Sequence, residues 1–359
     1  MCEMFDKLGY DEVWVGEHHS GGWETIGHPE MFLAAAAQRT HRIMLATGVV
    51  SLPYHHPYNV AGRIAQLDHL SRGRAILGTG PGALPSDART FGIDTELLRD
   101  RQDESIGVIQ QLLTAEDPIS HSSDWFELDQ GFLQTKPLQE NIEIVTASSI
   151  SPSGMKLAGK YGLGVISVAS FSDEGLRALP TQWGFAETYA EESGATISRD
   201  RWRVMMPWHI AETREQAIAE IRDGLLHWHN GYNVQTLARP DHTFVEEKDA
   251  DRFIESMIAR GGAIIGSPDD AVDSIAKLNE LTGGFGTLVG FVHDWASPEA
   301  TDRSYDMFAR YVIPQVQGLI DPVRRAQGLL QNDNAALMEA AGRGVLKAIR
   351  EHKSVHGRS

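Results

Sequence analysis

Strand-like and helix-like signals alternate along nearly the whole chain, and that rhythm restricts the fold more than any other feature. Short runs rich in apolar and β-branched residues fall at 11–16, 43–50, 74–78, 142–146, 162–169, 203–211 and 287–292. Each reads as a buried strand, too short for a helix of its own. Helical stretches separate them, at 29–40, 58–70, 97–113, 152–161, 173–193, 213–228 and 297–316. In the stretch 97–113, Ile106, Ile109, Leu112 and Leu113 share one face. Gly9 is placed to stop the first helix, and Ser267-Pro268 to cap and open a later one. Strands alternating with helices specify a parallel sheet with helices packed outside it. The seven runs have the spacing of a barrel, one short of the eight that close a (β/α)₈ fold. The chain therefore reads as an α/β TIM barrel that starts late, without strand one and the beginning of helix one. An opening there leaves strand edges to be covered.

Two segments break the rhythm. Residues 118–137 read as a hairpin insertion, with Trp125, Phe126, Leu128, Phe132 and Leu133 as its apolar side. Residues 229–262 read as a polar, irregular excursion. The expected organisation is one barrel domain over 1–318 and a tail over 319–359, helical from Ala335 to Glu351. No linker divides the barrel.

Charge and cysteine content narrow the classes of partner. Acidic residues outnumber basic ones 49 to 32, a formal charge of −17. That disfavours nucleic acid and anionic membrane surfaces as general partners. The one cysteine, Cys2, allows no intrachain disulfide, which suits a reducing compartment. The first residues do not form a signal peptide, and no apolar run is long enough for a bilayer. A soluble cytoplasmic protein is expected.

Four stretches carry residues suited to chemistry. The first is Val13-Trp14-Val15-Gly16-Glu17-His18-His19, a buried strand running into an acid and two histidines. Polar groups directly after such a strand sit where α/β folds place their sites. The histidines fit two roles, capping the strand end or serving as base and hydrogen-bond donor at the barrel mouth. A metal site would need three or four ligands at suitable spacing, and no paired histidines on a helix provide it. The second is Thr47-Gly48-Val49-Val50-Ser51-Leu52-Pro53 with His55-His56-Pro57. Gly48 marks a bulge or a close approach of backbone to ligand, and His56 reads as structural. The third, Gly78-Thr79-Gly80-Pro81-Gly82, is either a tight loop or a bare backbone for a flat ligand. Pro81 and the distance to the next helix separate it from a dinucleotide fingerprint. The fourth is Ser148-Ser149-Ile150-Ser151-Pro152-Ser153-Gly154. Ser151 suits an N-cap and Pro152 a first helical residue, and the many hydroxyls beside a helix start suit an anion. Trp14, Trp208 and Trp295 fall at strands or strand ends, in the core or lining the mouth.

Taken together, these stretches resemble the bacterial luciferase-like, flavin-dependent monooxygenase family, and within it the limonene-type branch. The further matching pieces are Leu67-Asp68-His69-Leu70-Ser71-Arg72-Gly73-Arg74, Arg89-Thr90-Phe91-Gly92, Gly266-Ser267-Pro268 and Gly290-Phe291. The likeness extends from about residue 3 to about residue 318. It implies a barrel that binds reduced FMN or FAD at the C-terminal ends of its strands. It implies that His18 handles a proton, and that Gly48-Val49 lies against the flavin, joined by a cis bond in many relatives. Gly80 and Pro81 become the fourth strand end of the flavin site, and Ser149, Ser151, Ser153 and Gly154 the phosphate site. Gly80 stands where luciferase proper has a reactive cysteine, and Pro81 where it has a phosphate-binding arginine, so light emission is not implied. Arg89 or bare backbone amides would then meet the phosphate. The partners implied are O2, a small apolar organic substrate, a separate NAD(P)H:flavin reductase and a second copy in a homodimer. Two other readings share the barrel: an F420-dependent hydride-transfer enzyme, and a non-catalytic flavin-binding subunit.

Overall fold

Seven strands each send a side chain into one apolar cluster, and only a curled sheet can bring that about. The computed structural model describes residues 1–168, 172–239 and 242–357. Its strands are β1 (Glu12–Val15), β2 (Met44–Thr47), β3 (Val50–Ser51), β4 (Ala75–Gly80), β5 (Ile119–Ser122), β6 (Glu127–Gly131), β7 (Glu143–Ser148), β8 (Gly164–Ser167), β9 (Trp202–Ile210), β10 (Ile264–Gly266) and β11 (Thr287–Phe291). The helices used below are α1 (Cys2–Leu8), α2 (Pro29–Ala37), α3 (Pro57–Ser71), α4 (Pro85–Thr90), α5 (Leu98–Thr114), α6 (Ser153–Tyr161), α7 (Asp173–Ser193), α8 (Arg214–Trp228), α9 (Ala250–Ala259), α10 (Pro268–Thr282) and α11 (Pro298–Met307). The cluster joins Trp14 of β1, Ala46 of β2, Ile76 of β4, Val145 of β7, Ile166 of β8, Met205 of β9 and Val289 of β11. This is the interior of a mostly parallel sheet curled into a partial barrel, with helices around it.

The ladder runs β1-β2-β4-β7-β8-β9-β10, with β3 beside β4 and β11 beside β9, and all these pairs are parallel. β4 is buried along its whole length, as a strand with both faces covered must be. The curl stops short of closure. Among the described residues β1 pairs only with β2, and β11 only with β9. Side chains bridge where the ladder does not. Arg203 of β9, only 4% exposed, binds Glu12 of β1 at 2.6 Å and Glu143 of β7 at 2.9 Å. Burial opposes the charge on Glu143, but Arg203 and Arg201 hold its carboxyl below the ordinary range.

Local signals explain the element ends. Gly9 takes a left-handed conformation and closes α1. Ser267 and Asp270 form a reciprocal capping box at α10. His56 caps α3, its Nδ1 accepting the Tyr58 N–H at 3.2 Å, so it has the expected structural part. The hairpin β5–β6 forms within 118–137 as an antiparallel pair.

Several expectations need correction. The excursion 229–262 is not irregular throughout: a π-helical segment, His229–Thr236, continues α8, and α9 follows. Ile254 and Met257 of α9 are buried against Ile221, Leu225 and Trp295. Their one-faced spacing is the helix signal that the polar composition around them hides. Ser151 does not cap α6; the cap position is Pro152, and Ser151 Oγ meets Ser153 Oγ instead. The tail helix runs over Asp321–His356, well beyond 335–351. Parts of the stretches 162–169, 229–262 and 319–359 fall on residues 169, 240–241 and 358–359, outside the described residues. The chain divides into two compact units, Met1–Ala309 and Arg310–Ser359. Among the described residues no helix is long and apolar enough to cross a membrane.

Candidate active site

The four chemistry-bearing stretches all leave the same end of the sheet. Glu17, His18 and His19 follow β1, Gly48 and Val49 follow β2, Gly80 ends β4, and Ser148 ends β7. In a parallel barrel the C-terminal strand ends form one face, the face that carries chemistry.

Two buried carboxylates organise the histidines. Glu17 is 3% exposed. Its Oε1 accepts from His19 Nε2 at 2.8 Å and from His55 Nε2 at 2.7 Å, and its Oε2 accepts the Ser51 N–H at 2.7 Å. Burial opposes ionisation, yet these bonds, led by His55, hold the Glu17 carboxyl below the ordinary range. Asp87, on the first turn of α4, is 1% exposed. It accepts from His18 Nδ1 at 3.1 Å, from the His19 N–H at 3.1 Å and from the Ser20 hydroxyl. An ionised carboxylate only accepts, so the proton facing Asp87 sits on His18 Nδ1. Nε2 is left without a protein partner among the described residues, on a side chain 20% exposed. Such an imidazole can take up or give a proton at Nε2 while its other nitrogen stays anchored.

Close packing defines the rest of the strand ends. The Gly48–Val49 peptide is cis. A Cβ on Gly48 would stand 2.9 Å from Trp14 Cβ, and one on Gly80 would stand 2.5 Å from Val49 Cγ2. Both positions therefore require glycine, and Gly80 and Val49 are neighbours. Pro81 follows at a half-exposed turn. A Cβ on Gly154 would lie 2.3 Å from the Ala147 carbonyl, so α6 starts hard against β7. Ser151 and Ser153 hydroxyls lie 2.9 Å apart at that start, and Gln182 of α7 binds the Ser149 carbonyl. Among the described residues Ser148 Oγ is buried without a partner. Arg89 lies on the exposed side of α4.

Aromatic groups border the histidines. Tyr54 stacks on Phe91 at 4.8 Å, and Phe91 meets His19 edge-on at 4.8 Å. Burial, with Asp87 and Glu17 nearby, pushes the Tyr54 hydroxyl up to about 12. The loop after His19 is tied to the π-helical segment: Trp23 Nε1 donates to Thr236 at 3.0 Å, and the Tyr232 hydroxyl donates to Glu24 at 2.8 Å. Two tryptophans expected at strand ends turn inward. Trp208 stacks on Phe308 at 4.3 Å, and Trp295 joins the α8–α9 core.

Asp87 is the residue that sequence reasoning missed. Pro85-Ser86-Asp87 carries a helix-start signal, Pro at the first turn with an acid behind it. The glycine-rich run at 78–82 made the whole segment read as loop.

Comparison with known proteins follows the same lines. The Luciferase-like monooxygenase family matches residues 1–284. The chain is 43% identical over 344 residues to the 4-hydroxyprotoasukamycin monooxygenase of Streptomyces nodosus subsp. asukaensis, covering 95% of this chain and 92% of that protein. It is 41% identical over 358 residues to the limonene 1,2-monooxygenase of Rhodococcus erythropolis, covering 99% and 91%. Among solved structures it is similar to the oxygenating constituent of 3,6-diketocamphane monooxygenase from Pseudomonas putida in complex with FMN. That likeness has a TM-score of 0.72 at 28% identity over 88% of this chain and 91% of that one. On these grounds the chain belongs to the luciferase-like monooxygenase family and is an oxidoreductase of the monooxygenase type.

Proposed function

We propose that this chain is the oxygenase component of a two-component flavin monooxygenase, placing one atom of O2 in a small apolar organic substrate. The observation that carries the reading is His18 anchored at Nδ1 by buried Asp87, on the same strand-end face as the hydroxyl-rich start of α6. A reduced flavin, FMN or FAD, supplies the electrons that activate dioxygen.

The residues present fit such a group. Gly48 and Gly80 leave bare backbone beside Val49, and Pro81 stiffens the turn beyond it. The N-terminus of α6 offers free N–H groups and the positive end of its dipole to a phosphate. Ser149, Ser151 and Ser153 add donors, the orphaned Ser148 Oγ is a further one, and Gly154 permits the close turn. His18 Nε2 takes and returns a proton, and Asp87 stabilises the charged ring. Glu17 fixes His19 and His55, and with them the backbone that aims His18. Trp23, Glu24 and Tyr232 close one side against water. A separate NAD(P)H:flavin reductase delivers the reduced flavin, and the oxygenase works as a homodimer in the cytoplasm. The likeness to a limonene monooxygenase supports an apolar substrate.

The test is anaerobic titration with photoreduced FMN, FAD and F420, then addition of ¹⁸O2 with limonene and related terpenes. Binding of a reduced flavin and one ¹⁸O in the product is the expected result. Binding of F420 alone, with oxygen-independent turnover, overturns the reading in favour of hydride transfer.

A further inference from the structure

The buried face of α7 carries one amide among apolar groups. Leu179, Trp183, Ala186 and Ala190 recur at three and four residues along that face, and Gln182, 2% exposed, lies among them. A buried amide is costly unless it is hydrogen-bonded, and Met or Leu would fill the space without that demand. Gln182 has a partner at each end. Its Nε2 donates to the Ser149 carbonyl, and its Oε1 lies 3.5 Å from Ser167 Oγ, which accepts the Trp202 Nε1–H at 3.0 Å. A carbonyl only accepts, so Ser149 fixes which way the amide faces. Close packing brings the two together. A Cβ on Gly159 would stand 2.4 Å from the Ala186 carbonyl, so α6 packs on the α7 backbone. Gln182, one turn before Ala186, then reaches the loop ahead of α6.

We infer that Gln182 is a positioning residue for the phosphate of the flavin, acting through the loop 148–152. The inference rests on the flavin reading above and adds the residue that shapes its phosphate site. The physical reason is the sign of the backbone dipoles. A free carbonyl beside a phosphate repels it, whereas an N–H attracts it. The Ser148 carbonyl is taken by the Val168 N–H at 2.9 Å, and the Ser149 carbonyl by Gln182. In a trans peptide the C=O and N–H point opposite ways, so the Ile150 N–H faces away from Gln182. With both carbonyls occupied, the stretch offers an anion its donors: the first-turn N–H groups of α6 and the hydroxyls of Ser151 and Ser153. Ser148 Oγ, on a residue 1% exposed, is a further donor without a partner among the described residues. Without Gln182 the Ser149 peptide is free to turn its carbonyl toward the phosphate.

Anaerobic titration of the full chain with photoreduced FMN, FAD and riboflavin, followed by absorbance, tests this without turnover. Riboflavin lacks the phosphate and is the internal reference. The unaltered chain should bind FMN or FAD more tightly than riboflavin, with inorganic phosphate competing. Gln182→Met keeps the volume and donates nothing to Ser149. It should cut the preference about tenfold and leave the riboflavin affinity unchanged. A side chain that only packs α7 would weaken all three flavins alike. Near-UV circular dichroism reports whether the variant keeps its fold. Should it not fold, Gln182→Glu decides: it has the same shape, its carboxylate repels the Ser149 carbonyl, and it should lose the preference too. A preference kept in the folded variant, or an equal loss for all three flavins, overturns the inference and leaves the flavin reading standing. Equal binding of the three by the unaltered chain overturns it by removing the phosphate site. Binding of none overturns the flavin reading itself, and the inference with it.

Discussion

His18 and Asp87 act as a pair, and substitution should show it. Asp87→Asn keeps the shape of the side chain but removes the charge that stabilises a protonated imidazole. Its oxygenation rate should fall by about 10²–10⁴-fold, with little change in the affinity for reduced FMN measured without oxygen. His18→Ala should fall about as far, and the double variant no further, because both remove one function. The urea midpoint separates the pair from a mere packing role: Asp87→Asn should lower the rate with little loss of stability, whereas a packing residue should lower the midpoint as well. Glu17 differs, since it accepts three hydrogen bonds and touches no open position. Glu17→Gln must turn a donor toward one of these donors, at a cost of about 1–3 kcal/mol, read as a lower urea midpoint. The depressed Glu17 carboxyl has a definite sign. Its contribution to stability is complete above the ordinary carboxylate range and is lost as pH falls through the lower folded value.

At the scale of elements, two contacts stand in for ladder bonds or fix a strand end. Arg203 links β9 to β1 and β7 through Glu12 and Glu143. Arg203→Met leaves Glu12 without its cation and Glu143 with Arg201 alone, and should destabilise by about 3–5 kcal/mol, measured by chemical denaturation. Adding Glu12→Gln and Glu143→Gln should recover part of the loss. At the other strand end, His293 donates to the Trp208 carbonyl at 3.1 Å and stacks on Trp295 at 3.6 Å. Burial, with His209 beside it, pushes its imidazole down to about 3. His209 is itself lowered by burial, although Glu220 pulls the other way, and Arg303 faces that acid. Between about 6.5 and 3 the unfolded chain binds the proton that folded His293 refuses. Stability should therefore fall as pH drops below about 6.5, by up to about 1.4 kcal/mol per pH unit from this group. His293→Asn should flatten that acid limb, read from melting temperature against pH.

For the whole molecule, ligand binding and stability are linked. Reduced FMN at about 100 times its dissociation constant should add about 2.7 kcal/mol, seen as a higher melting temperature without oxygen. Gly154→Val should remove most of that gain, because its side chain would strike the Ala147 carbonyl where α6 begins. Hydrogen exchange should be slowest in β2, β4 and β7, whose side chains pack the barrel interior, and faster in the exposed turns of 242–249.

The barrel architecture and the C-terminal strand ends were legible in the residues themselves. Periodicity is local: β-branched runs, Gly9 at a helix end and Ser267-Pro268 at a helix start act on their own neighbours, so the sequence alone determines them. The Glu17-His18-His19 motif and the hydroxyls at 148–153 were likewise visible, because both directly follow strands. What only the tertiary structure decided is which distant groups meet. Asp87 lies 69 residues from His18 and becomes its anchor only when β1 and β4 run parallel on either side of β2. Arg203 finds Glu12 across 191 residues, where the curl brings β9 within reach of β1. α9 hid in a polar stretch because its few apolar residues matter only against the α8 core. Backbone preference is encoded over a few residues, whereas the partner of a buried charge depends on how the whole sheet closes.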